Sequence, residues 1–74
     1  MTNYFSKDEA RSKIGKDIKT LTRFADIPIG TTGKVVEAYK MDFGAFGLMI
    51  QWNISDTIKD GFSKDEYEEF LDEV

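Results

Sequence analysis

The clearest pattern in the chain is the alternation along Phe46-Gly47-Leu48-Met49-Ile50-Gln51-Trp52-Asn53-Ile54. Large apolar side chains occupy every second position, and glycine, methionine or a polar amide stands between them. A period of two is typical of a β-strand that buries one face. We therefore predict a central strand here, with Trp52 in the core and its indole N–H bonded to a partner.

Two more strands are predicted on the N-terminal side of this one. Residues 33–40 form the second strand, joined to the first by a hairpin loop at 41–45, where Gly44 allows a positive φ. Residues 17–24 form the third and less regular strand. In it Leu21 points away from the buried face, so it needs a cover that an N-terminal helix could supply.

The remaining connections complete a mainly β fold. Residues 57–60 predict a short edge strand that ends at Gly61. Pro28 suits the second place of a type I turn, and Gly30 suits its fourth place. Sequential strands with short links pair as an antiparallel meander, which at this size must curl into a small barrel or half-barrel.

Two short helices are predicted from a repeated pentapeptide. Phe-Ser-Lys-Asp-Glu occurs at residues 5–9 and again at 62–66. In each copy the serine hydroxyl can cap the glutamate N–H while the glutamate reaches back, which is a capping box. The preceding phenylalanine can pack on the fourth helical residue, Ala10 or Tyr67. We interpret the two copies as two helix starts and not as a duplication.

The ends of these helices are less sharply defined. Gly15 can end the first helix after about two turns. In the second, an apolar stripe at helical spacing continues to the last residue. Its members are Tyr67, Phe70, Leu71 and Val74. The alternative is a helical turn through Glu68 followed by a short strand at 70–74.

Length and composition exclude most chemistry. With 74 residues the chain is expected to be one domain, with residues 1–14 as a helical extension and 15–74 as the barrel. It contains no Cys and no His, which removes thiol nucleophiles, imidazole bases and most metal ligands. We predict no catalytic residue, no cofactor and no metal site. Without a signal peptide or an apolar span, a cytoplasmic monomer that does not insert into membranes is expected.

Two segments resemble a binding or catalytic site but lack residues or surroundings that such a site requires. The segment 56–67 resembles a calcium loop, but Ile58 occupies its third place and Tyr67 its twelfth, where a carboxylate is needed. The acidic run at 65–73 could include an acid–base pair only if a carboxyl were buried in a cleft. Both are interpreted as solvent-exposed structure, a turn and the polar face of a helix.

Charge is distributed unevenly along the chain. Residues 1–40 hold eight Lys and Arg against five Asp and Glu, whereas residues 41–74 hold two against nine. The net charge of −4 therefore combines a basic part and an acidic part. If the fold kept them on separate faces, the dipole would orient a charged partner.

The order of motifs resembles a known family. The turn Gly30-Thr31-Thr32-Gly33 enters a strand at Val35, a hairpin ends in Ile50-Gln51-Trp52, and Phe62-Ser63-Lys64-Asp65-Glu66 follows. This order resembles small SH3-like barrels, and among them the electron-transport accessory proteins. Those include the peripheral SH3-like subunit of photosystem I and the variable chain of ferredoxin–thioredoxin reductase. KOW-type barrels of ribosome- and transcription-associated proteins share the glycine-rich turn.

The resemblance and the residues together favour a non-catalytic module that docks on a larger protein or complex. The candidate partner-binding residues are Phe43, Gly44 and Phe46, at a hairpin tip where loops often carry function. Core packing is the simpler role for Phe46, and burial of Phe43 is left open. The alternative is a KOW-like nucleic-acid binder that uses a basic N-terminal surface. Its cations are Lys7, Arg11, Lys13, Lys16, Lys19 and Arg23. Interrupting acids and the acidic total argue against it.

Overall fold

A computed structural model describes residues 4–23, 26–54 and 57–74. The fold is mainly β, with two short helices. The elements are α1 (Lys7–Lys13), β1 (Asp17–Thr20), β2 (Thr32–Lys40), a 3₁₀ turn (Asp42–Gly44), β3 (Phe46–Trp52), β4 (Lys59–Phe62), α2 (Lys64–Phe70) and β5 (Leu71–Glu73).

The five strands form one antiparallel sheet in the order β4-β3-β2-β1-β5. The first four follow one another as the predicted meander, and the last strand returns to lie beside β1. The sheet is open and is not a closed barrel, because β4 and β5 lie at its two edges. A register shift between Val35 and Glu37 marks a bulge in β2. Such a bulge bends a strand and increases its twist.

The core lies between one face of the sheet and the two helices. Leu48, Ile50 and Trp52 are buried on this face, as their alternation predicted. The indole N–H of Trp52 donates to the Asp60 carboxylate at 2.6 Å, so the buried ring has its predicted polar partner. Ala10 of α1 and Tyr67 of α2 belong to the same core cluster, which places both helices on this side.

Both predicted helix starts are confirmed. Ser6 and Ser63 each accept a bond from the glutamate three residues later, and each glutamate accepts the serine backbone N–H. The two copies also share a place in the sheet. Phe62 pairs with Leu48 of β3, and Phe5 forms an isolated bridge with Phe46 on the same strand. Residues 4–6 thus lie alongside β3 just beyond the end of β4, where the chain leaves the sheet to form α2.

Several predicted strand and helix boundaries differ from the structure. β3 ends at Trp52, so Ile54, the last residue of the predicted alternation, is exposed in a turn. β1 ends at Thr20, and Leu21 is half exposed, so α1 does not cover it as predicted. β4 begins two residues later than predicted and continues through Gly61 to Phe62. Neither prediction for the last helix and strand is confirmed in full, because α2 continues to Phe70 and β5 then pairs with β1. The strand alternative is the closer one, because pairing beside β1 overrides the helical stripe.

The turn after β1 is locked by two buried threonines. Pro28 is the first residue of this turn and not the second, because its carbonyl accepts the Thr31 N–H at 3.2 Å. Gly30 therefore occupies the third place, and its φ of 86° is the left-handed value of a type II turn. The same carbonyl accepts the hydroxyls of Thr20 and Thr31, at 3.0 and 2.7 Å. This segment is a rigid connection that exposes Ile29.

Candidate functional site

The hairpin between β2 and β3 presents a small, well-braced tip. The Met41 N–H donates to the Ala45 carbonyl at 2.8 Å, and the Ala45 N–H donates to the Asp42 carbonyl at 3.3 Å. Ala45 is buried, which anchors the loop to the body of the protein. The next N–H, of Phe46, donates to the Phe5 carbonyl at 3.1 Å. The tip is therefore fixed on both sides by the backbone.

Phe43 stands at this tip with its side chain fully exposed. Its relative accessibility is 100%, the highest of the exposed large apolar residues. Its φ of 63° is left-handed, and among the described residues no other non-glycine residue has a positive φ. That conformation costs an L-residue with a Cβ about 1–2 kcal/mol. Phe43 thus combines an unfavourable backbone conformation with an aromatic ring that is fully exposed to solvent.

The other two predicted docking residues lie in different environments. Gly44 is exposed beside Phe43, and its φ of 73° agrees with the positive value that the sequence predicted. Phe46 is the first residue of β3 and packs partly buried against the core cluster. Structure therefore brings Phe43 and Gly44 together at the surface and gives Phe46 its simpler role as part of the fold.

A second surface feature, not identified from the sequence, lies on the sheet face away from the core, here called the outer face. Tyr39 of β2 covers two glycines, Gly47 of β3 and Gly61 of β4. A Cβ at Gly47 would lie 2.5 Å from the Tyr39 Cζ and Oη atoms, and one at Gly61 would lie 2.8 Å from Oη. The ring therefore lies low across the sheet. The available signal was the pair of glycines inside strands, which often marks a close approach.

Ion pairs connect the basic and acidic parts of the chain. Lys13 of α1 bonds to Glu73 of β5, and Lys64 of α2 bonds to Glu9 of α1 with Nζ and Oε2 3.0 Å apart. The Lys13 bond, followed by the Tyr67 hydroxyl, lowers the pKa of Glu73. Because β5 also pairs directly with β1, the two parts interleave instead of occupying separate faces.

The predicted basic surface is partly neutralised by the same arrangement. Lys13 is paired with Glu73, and Lys19 lies opposite Asp72 in the sheet. Lys34, a further cation on the sheet, lies 3.8 Å from the carboxylate of Asp17. Each of these three cations therefore has a carboxylate beside it.

No recognisable site for a small ligand is formed by the part of the chain that the structure describes. The described residues enclose no pocket, and no three or more of their carboxylates lie in a group that could hold a metal ion. The first residue of the calcium-like segment, Asp56, lies outside the described residues. Neither described helix is long and apolar enough to cross a lipid bilayer.

Comparisons with protein-family models, with curated proteins and with solved structures found no match for this chain.

Proposed function

We propose that this chain is a non-catalytic interaction module of SH3-like half-barrel form, which docks on a larger protein or complex through Phe43. The observation that carries the proposal is the fully exposed ring at a braced tip. Aromatic side chains that fill a pocket of a partner dominate the free energy of many interfaces. Because the φ of Phe43 is unfavourable and its ring is fully exposed, the side chain contributes little to folding, which favours a role in binding.

The order of elements supports the SH3-like part of the proposal. The turn at Gly30 leads into β2, the hairpin leads into β3, and α2 begins at the second pentapeptide. These are the segments on which the resemblance rests, and each forms the turn, strand or helix that the resemblance implies. The bulge between Val35 and Glu37 adds the twist that a half-barrel requires.

A cytoplasmic monomer remains part of this proposal. Both sheet edges are short and carry charges that discourage pairing with another sheet. β4 begins with Lys59 and Asp60, and β5 contains Asp72 and Glu73.

The experiment compares capture of a partner from native cell extract by three immobilised forms: the unchanged chain, Phe43→Asn and Ile29→Asn. Ile29 is a matched control, because it is also an exposed apolar residue but precedes β2, whereas Phe43 follows the other end of that strand. Asparagine tolerates positive φ, so Phe43→Asn removes the ring without new backbone strain. We expect a protein retained by the unchanged chain and Ile29→Asn and lost with Phe43→Asn. Equal retention by all three contradicts docking through Phe43.

A titration with RNA and DNA tests the nucleic-acid alternative. Binding to phosphates weakens steeply with salt because counterions are released. Micromolar binding that falls strongly between about 50 and 200 mM salt would contradict the docking proposal. Absence of binding at the lower salt concentration removes the alternative.

A further inference from the structure

We draw no further inference here: the strongest candidate, the surface patch of exposed aliphatic side chains in the β1–β2 and β3–β4 connections (Leu21, Ile29, Ile54 and Ile58), carries none, because nothing in the structure shows what covers it.

Discussion

Lys64 of the second Phe-Ser-Lys-Asp-Glu segment donates a hydrogen bond to Glu9 of the first, with Nζ 3.0 Å from Oε2. Its ammonium group also lies 5.8 Å from the centre of the Phe5 ring. The Ser6 backbone N–H, and after it the bond from Lys64, lowers the pKa of Glu9. The same bond to Glu9 raises the pKa of Lys64. Two identical pentapeptides, distant in sequence, thus meet at one end of β3 and hold the helices together.

A double-mutant cycle tests this contact. Glu9→Gln keeps the capping box, because glutamine can also accept the serine N–H. Lys64→Met removes the charge and keeps the length of the side chain. We expect the two substitutions to be coupled in urea unfolding at low salt, and the coupling to disappear in 1 M NaCl as the Debye length falls to about 3 Å. Independent effects at low salt contradict a working ion pair.

Glycine at position 47 is required by Tyr39. Gly47→Ala places a methyl group 2.5 Å from the ring, so the ring or the strand must move. We expect a loss of about 1–3 kcal/mol in the free energy of unfolding, the usual cost of overpacking. In a Tyr39→Ala background the same substitution should cost little, because the obstructing ring is gone. A similar cost in both backgrounds contradicts the close approach.

Hydroxyl groups of the buried threonine pair stabilise the turn after β1. Thr20→Val keeps the shape of the side chain and removes the group that donates to the Pro28 carbonyl and accepts the Thr31 N–H. Loss of these bonds in a buried site should lower the free energy of unfolding by about 1–3 kcal/mol. Thr32→Val removes only a solvent-exposed bond, in which the hydroxyl accepts from the Asn53 side-chain amide at 2.8 Å, so this control should change stability less. Chemical denaturation measures both.

Stability should depend on pH through Glu73. Its pKa is lowered in the folded state, so this carboxylate contributes stability above its ordinary pKa of 4.5 and loses it as the pH falls through the folded value. The side chain is partly exposed, so the contribution is screened to less than about 1 kcal/mol. We expect the stability difference between the unchanged chain and Glu73→Gln to be constant near neutral pH and to shrink below pH 4.5. A Lys13→Met background should reduce this pH dependence.

Local signals predicted the parts of the fold that depend on neighbouring residues. The capping boxes at Ser6 and Ser63 and the buried face of β3 follow from spacing alone. The end of α2 could not be predicted in this way, because Leu71 leaves the helical stripe to pair with Thr20, far away in sequence. The exposure of Leu21 could not be predicted from local sequence either, because it depends on where α1 packs.

The candidate site was predictable in part. The loop at 41–45 was identified from its glycine and aromatic residues, but exposure of Phe43 depends on how the tip is braced. The cover of Tyr39 over two glycines arises from strand register, since Tyr39 pairs with Gly47 on β3 and Gly61 lies on β4 beside the same stretch of β3. Period-two patterns do not specify which residues of different strands become neighbours.

The most direct test of the central claim, that Phe43 is present for binding and not for folding, is the free energy of unfolding of Phe43→Asn. Asparagine adopts left-handed φ more readily than phenylalanine, and the exposed ring has no packing to lose. We predict stability that is unchanged or higher by up to about 1 kcal/mol. A loss of about 3 kcal/mol or more, the range for truncation of a core aromatic residue, would show that Phe43 is structural and contradict the account.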